Sequence, residues 1–299
     1  MPFLAVKVDV DTLRGTREGV PRLAALLERK GIRATFLFSV GPDHTGRAIR
    51  RVFRRGFVGK VRRTSVLQHY GLKTLLYGVL LPGPHIGRRC GREFRAVADS
   101  GFEAGLHTYD HVRWQDGVAQ ASEAWTRREL IRGRDAFTEA FGRPPIVHGA
   151  AGWQMNEFVP ALQHEFGFTL ASDTRGSGPF IPVARGAAVP VPQLPTTLPT
   201  LDELIGRADL ENVDPVRHLL ALTSGGREHV YTLHAELEGG AYLRAFEALL
   251  DGWKAQGYAL GSLGDFAARL DIGALPRRAI EQGTVEGRAG YLAVEAAAR

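Results

Sequence analysis

Cysteine is nearly absent from this 299-residue chain. Cys90 stands alone, so no disulfide can form within the chain and a disulfide-stapled fold is excluded. It lies in an Arg/Gly-rich stretch with no repeating Cys/His pattern, and it reads as a free thiol without a role. Long apolar runs are also missing. No segment approaches the roughly 20 consecutive apolar residues that a membrane-spanning helix needs. The N-terminus, Met1-Pro2-Phe3-Leu4-Ala5-Val6-Lys7-Val8-Asp9, lacks the basic start and apolar stretch of a secretion signal. The expected location is the cytoplasm, or the cytosolic face of a membrane.

Negative charge is missing from one region. Residues 44–92 contain no Asp or Glu, yet they carry Arg47, Arg50, Arg51, Arg54, Arg55, Lys60, Arg62, Arg63, Lys73, Arg88, Arg89 and Arg92. Apolar residues such as Val52, Phe53, Phe57 and Val58 are interleaved, and an apolar run from Leu72 to Leu81 ends at Pro82-Gly83-Pro84. The whole chain has a formal net charge of +6 and a pI near 9.7. Such a balance suits nucleic acid, a phosphorylated ligand or a membrane surface, or simply an arginine-rich enzyme.

What is present is an α/β rhythm. Residues 3–10 and 33–40 are apolar, β-branched runs that predict buried strands, and 19–30 between them has helical spacing with Gly31 as its stop. After the insert, 91–100 predicts a helix and 102–106 a strand running into His107. Then follow a helix over 121–141, a strand over 145–149, a helix over 156–166 and a strand over 168–172. Residues 187–194 are expected to be extended, 229–233 and 257–261 to be strands, and 241–256 a helix. These alternations predict a barrel-like or doubly wound parallel sheet. The expected organisation is one domain over 1–270, interrupted by the 44–92 insert, and a small-residue-rich tail over 271–299.

Three features at predicted strand ends carry chemistry, since that end is where such folds place reactive groups. Asp9 and Asp11 close an apolar strand, where two carboxylates are costly to bury without a partner. His107 and His111 are four residues apart, which on a helix would put both rings on one face toward one metal. His234 ends the strand Tyr231-Thr232-Leu233. Taken singly, the acids could cap a loop, the paired histidines could be surface residues, and His234 could be a satisfied core residue. Together, Asp11, His107 and His111 form a facial donor set for one divalent metal with positions left open. Asp9 can then take a proton from water, and His234 can give one to a departing amine.

Asp9-Val10-Asp11, His107-x-x-x-His111 and Leu233-His234 resemble, in order and spacing, three motifs of the NodB-type polysaccharide deacetylases. The resemblance implies a distorted (β/α) barrel with the insert after its second strand. It also implies Asp9 as base, His234 as acid, and a divalent metal on Asp11, His107 and His111. Zinc is the first choice, with cobalt, manganese or nickel accepted by the same donors.

Longer segments are similar to a branch that removes formate from a formylated amino sugar on a polyprenyl phosphate. They are 9–22, 39–43, 105–111, 150–153, 172–176, 198–207 and 231–239. The amino sugar made by that branch later decorates lipid A and lowers its negative charge, and resistance to cationic peptides follows. The partners implied are a lipid-linked amino-sugar substrate and an anionic membrane surface, with the protein peripheral on the cytosolic face of the bacterial inner membrane.

The insert fits such a surface through Arg50, Arg51, Phe53, Arg54, Arg55 and Phe57. Phenylalanines also stack on bases, but no nucleic-acid motif accompanies them and no nucleic acid is expected. Arg14 and Arg17 are candidates for the substrate phosphate. Tyr109 and Asp173 are counted as supporting residues. Trp153 is expected to wall the sugar pocket, with its backbone N–H facing an oxyanion. Two departures from the broad pattern stand out. Val10 separates the acids, and Ala150-Ala151-Gly152-Trp153 lacks an arginine to pair with the base, for which Arg175 is the expected replacement. An N-deacetylase for another amino sugar, or an inactive membrane- or nucleic-acid-binding protein, remain the rival readings.

Overall fold

The computed structural model describes residues 1–48, 74–205, 207–210, 213–288 and 290–297. Arg50, Arg51, Phe53, Arg54, Arg55 and Phe57 lie outside the described residues.

The chain opens with β1 (Phe3–Val10), buried along its whole length, then α1 (Val20–Lys30) and β2 (Thr35–Ser39). Both faces of this strand are covered, so its sequence runs largely apolar rather than alternating. Gly31 ends α1 in the left-handed conformation (φ 64°) that a Cβ would disfavour. β3 (Glu103–Thr108), β4 (Val147–His148) and β5 (Leu170–Ala171) extend the sheet from β2, while β8 (His229–His234) pairs with the other edge of β1. β9 (Ala259–Gly261) pairs with Phe3–Ala5 and β2 with Lys7–Val10, so the two share one edge of β1. These pairings are all parallel.

The regular ladder runs from β5 to β8 and the gap between them is bridged irregularly. Ala171 donates to the Pro192 carbonyl and accepts from Leu194, while Thr197 donates to the Val230 carbonyl. Residues 192–197 thus curl the sheet toward a barrel. Pro190 and Pro192 lack the donors a regular strand needs, so the extended segment expected over 187–194 holds only a two-residue strand, β7 (Ala187–Ala188). That is the physical content of a distorted (β/α) fold.

Residues 277–295 build a second, smaller sheet. β10 (Arg277–Gly283) runs parallel to β6 (Ile181–Ala184) and antiparallel to β11 (Leu292–Glu295). Ala293 is fully buried and its carbonyl accepts from the Arg175 N–H. No helix among the described residues is long and apolar enough to cross a membrane.

Two loops meet tightly at the C-terminal end of β1. Residues 15–19 form one wide turn before α1, and residues 235–239 follow β8. A Cβ on Gly19 would lie 2.0 Å from the Ala235 carbonyl oxygen, a backbone atom that cannot swing aside. Gly19→Ala is therefore expected to cost about 1–3 kcal/mol and to lower Tm by at least about 2 °C. Gly178→Ala, where a Cβ meets nothing within 4 Å, should leave Tm within about 1 °C. Thermal denaturation of the two variants checks this, and equal Tm values would contradict the close approach.

Candidate active site

The register of the sheet assembles the site. Asp9 lies opposite His234 on β8 and Leu37 on β2, and the Ala235 N–H continues the ladder to the Asp9 carbonyl. Asp11 follows on the loop after β1. His107 comes from β3. His111 does not share a helical face with it, which corrects the expected geometry. The strand ends at Thr108, and Asp110 caps the helix α2 (His111–Gly117) by accepting from the Arg113 N–H at 3.1 Å. The turn between strand and helix brings the two rings to a centroid separation of 5.3 Å. Two histidines at this spacing therefore converge by a strand–helix turn as well as by a helix.

Asp11, His107 and His111 present one donor atom each within 4.8 Å of one another. His107 Nδ1 donates to the Gly149 carbonyl at 2.6 Å, which leaves Nε2 bearing a lone pair when the ring is neutral. That Nε2 faces Asp11 Oδ1 at 3.3 Å, and His111 Nε2 faces Oδ2 at 3.5 Å. Asp11 Oδ1 is buried without a hydrogen-bond partner among the described residues, as is Asp9 Oδ1. Lone pairs aimed at a carboxylate are held together by a proton or by a cation. The donor set and the fixed His107 tautomer fit a divalent metal.

The electrostatics agree. Burial works against the ionised Asp11 carboxyl, yet His111, His107 and His234 hold it far below the ordinary carboxylate range. Burial lowers His111, whereas at His107 burial is overcome by Asp9 and Asp11, which raise it. Burial also pulls His234 down, but Asp202 and then Asp11 outweigh it and push the imidazole up to about 9, with Arg288 opposing.

Several residues that the sequence reading overlooked frame the centre. Lys7, fully buried on β1, sits 3.7 Å from Asp9 and donates to the Ser172 carbonyl at 2.8 Å. Glu236 Oε1 accepts from the N–H groups of Asp11 (3.1 Å) and Thr12 (2.9 Å) and from the Thr12 hydroxyl (2.7 Å). Burial, then the Asp11 charge, push Glu236 up to about 8. Glu238 accepts from the His234 N–H at 2.9 Å, and burial pushes it to about 7. Asp202 faces His234 Nδ1 at 3.6 Å. A lysine inside a largely apolar strand, two positions before Asp9, and two glutamates just after His234 were signals open to a sequence reading. Nothing in the sequence marked Arg288.

Other expected residues take different places. Arg175 does not replace the missing arginine, since its guanidinium is bound to Glu203 (2.6 Å) and the Leu198 carbonyl (3.0 Å), while Lys7 is the cation beside Asp9. Trp153 is buried with its indole edge-on to His234, ring centroids 6.3 Å apart, so it backs that imidazole. Its backbone N–H is already donated to the Ala150 carbonyl at 3.1 Å, which removes it as an oxyanion donor. Asp173 is fully buried and accepts from His148 Nδ1, the Ala150 N–H, Gln163 and Gln193, all within 2.8 Å. With all its acceptor positions engaged, it is a strut beneath the 148–150 backbone whose Gly149 carbonyl orients His107. Tyr109 lies under the Arg132 guanidinium, 4.4 Å from its ring centre. Arg14 pairs with Glu18 at 3.1 Å, and Arg17 donates to the Arg89 carbonyl at 3.2 Å.

Comparison with known proteins shows the family and the fold. A family model described as polysaccharide deacetylase matches residues 9–171. Two curated relatives are both named probable 4-deoxy-4-formamido-L-arabinose-phosphoundecaprenol deformylase ArnD. The one from Shewanella sediminis is 37% identical, covering 83% of this chain and 80% of its own. That from Wigglesworthia glossinidia brevipalpis is 34% identical, covering 94% and 98%. Among solved structures, a probable polysaccharide deacetylase from Pseudomonas aeruginosa PAO1 superposes with a TM-score of 0.55 at 16% identity, over 89% of each chain.

A raised pKa means that the folded chain holds a proton the unfolded chain has released, so stability falls as pH rises across that interval. The interval is 6.5 to about 9 for His234, 4.5 to about 8 for Glu236 and 4.5 to about 7 for Glu238. His229, lowered to about 4 by burial, acts oppositely but only below 6.5. Burial lowers Lys7 from 10.5, which opposes the trend toward the alkaline end. The Tm of metal-free protein is expected to fall between pH 6.5 and 8. Adding excess zinc at pH 8 should raise it by several degrees through binding to the folded state, and His111→Ala should abolish most of that rise. A zinc response that survives in His111→Ala would place the ion elsewhere.

Proposed function

Because the chain belongs to the polysaccharide deacetylase family and is an amide-hydrolysing enzyme, we propose that it removes formate from 4-deoxy-4-formamido-L-arabinose on undecaprenyl phosphate. The products are the free amino sugar and formate, and the step serves lipid A modification and resistance to cationic peptides such as polymyxin. One observation carries the reading. Asp9, Asp11, His107, His111 and His234 converge at one end of the sheet in a chain 34–37% identical to relatives with that deformylase name.

Zinc is the proposed ion, because an Asp/His/His set suits it, and cobalt, manganese or nickel would use the same donors. Held by Asp11, His107 and His111, a divalent cation would acidify a water and polarise the formamide carbonyl. Asp9 takes the proton from the attacking water. Its Oδ1 is buried without a hydrogen-bond partner among the described residues, which leaves that atom open to receive one. Lys7 keeps the opposite oxygen company at 3.7 Å. The water oxygen bonds to the formyl carbon, and the bond between that carbon and the sugar nitrogen breaks. His234 hands its proton to the leaving nitrogen, with Asp202 behind it at Nδ1.

The lipid carrier supports a peripheral membrane location on the cytosolic side. Leu76, Val79, Leu80 and Leu81 are exposed within the basic, acid-free stretch. Apolar side chains beside cationic ones suit an anionic bilayer surface. Arg14, a third exposed and close after Asp11, remains the candidate for the substrate phosphate.

Purified zinc-loaded protein should release formate from the formylated lipid-linked sugar. Asp9→Asn and His234→Ala should each reduce kcat by about 10²–10⁴-fold while zinc content stays near one per chain. No formate with zinc, cobalt, manganese or nickel would sink the reading, and equal turnover of the N-acetyl analogue would shift it to a general N-deacetylase. Neutralising Arg50, Arg51, Arg54 and Arg55 together should weaken binding to anionic vesicles, most at low salt. Unchanged sedimentation with such vesicles would remove the membrane contact.

A further inference from the structure

Arg288 comes from the loop between β10 and β11, far in sequence from every other residue of the site. Its Nη2 lies 3.0 Å from Asp202 Oδ2, and its Nε donates to Glu203 Oε1 at 2.8 Å. Asp202 Oδ1, the other oxygen, accepts from the Thr200 hydroxyl at 2.5 Å and faces His234 Nδ1 at 3.6 Å. Glu203 in turn binds Arg175. Charges therefore alternate along His234, Asp202, Arg288, Glu203 and Arg175, and the Arg288 and Arg175 guanidinium groups both lie over the Trp153 ring, at 4.7 and 5.1 Å. The loop is seated closely. A Cβ on Gly287 (φ 82°) would come 2.5 Å from the Glu203 carbonyl oxygen, and Arg207 bonds both Asp209 and Glu286.

We propose that Arg288 is a positioning residue for the reaction: by holding Asp202 and Glu203 together, the C-terminal segment sets the direction in which His234 presents its proton. This rests on the deformylase reading above. Asp202 stands on a four-residue helix, Leu201–Leu204, a single turn with little rigidity of its own. A carboxylate there has two anchors for its two oxygens, the Thr200 hydroxyl and the Arg288 guanidinium. Remove the second, and Asp202 is free to turn away from Nδ1, so the imidazole loses the contact that aims its opposite nitrogen. Because Arg288 already binds two carboxylates, its charge is matched within the protein, which favours a role in aiming over direct capture of an anionic substrate.

The test uses full-length, zinc-loaded enzyme and the formylated lipid-linked sugar. Arg288→Gln should lower kcat about tenfold or more, as small losses of alignment do, with KM within about twofold and zinc content unchanged. Arg288→Lys, which keeps a charge but not the forked geometry, should recover part of the rate. Adding Arg288→Gln to Asp202→Asn should cost little beyond Asp202→Asn alone, since both act through one contact. A raised KM with kcat kept would make Arg288 a substrate contact, and a lowered Tm with kinetics intact would make it merely structural. Either result overturns the proposal. If wild-type protein releases no formate, the substrate reading fails on its own. The His234 ring resonances of the zinc-loaded protein then decide the matter without substrate. Arg288→Gln should shift them, Asp202→Asn should shift them too, and the double variant should match Asp202→Asn. Ring resonances untouched by Arg288→Gln would overturn the proposal.

Discussion

Asp11 is wedged between two imidazole nitrogens, 3.3 and 3.5 Å from its two oxygens, in a place almost closed to water. Such a group cannot persist as three neutral-or-negative electron donors. It needs positive charge at its centre, and the surrounding structure is organised around that need. The Gly149 carbonyl fixes which nitrogen of His107 points inward. Asp110 starts the helix that carries His111. Glu236 gathers the Asp11 and Thr12 N–H groups and so sets the path of the loop from which Asp11 projects.

A second layer of charge lies outward from this centre. Buried carboxylates at Glu236 and Glu238 are pushed toward neutrality by burial, so they behave as hydrogen-bonded braces more than as added negative charge. Lys7, Arg175 and Arg288 all approach the Trp153 ring, whose electron-rich face accommodates cations. The indole is held by its own bond to Thr196 and by a backbone turned into the left-handed region at both Gly152 and Trp153. A rigid aromatic plate behind His234 and paired charges around it leave the imidazole few orientations to adopt.

Much of this was legible before any coordinates. The strand–helix rhythm, the acids closing β1 and the histidines at 107, 111 and 234 came from local patterns, because burial and periodicity are written into neighbouring residues. The resemblance also implied the barrel, and it implied a grouping of Asp11, His107 and His111, whose donor atoms the fold brings within 4.8 Å of one another. Less legible were the contacts made by residues distant in sequence. Arg175 was expected beside the base, but Glu203, 28 positions later, holds it instead. Trp153 was expected to offer an N–H that the tight Ala150–Trp153 turn had already engaged.

The sequence by itself determined which side chains could do chemistry here: two acids at a strand end, three histidines, and a basic stretch without acids. Tertiary structure alone decided how they face one another. Parallel pairing of β1 with β8 sets Asp9 against His234, a strand–helix turn brings His111 onto His107, and Lys7 takes the place expected for Arg175. It also brought Arg288 from near the chain's end to Asp202, the carboxylate that faces His234. The reason is physical. Propensity and burial act over a few residues, whereas an ion pair forms wherever folding leaves two charges close, at any separation along the chain.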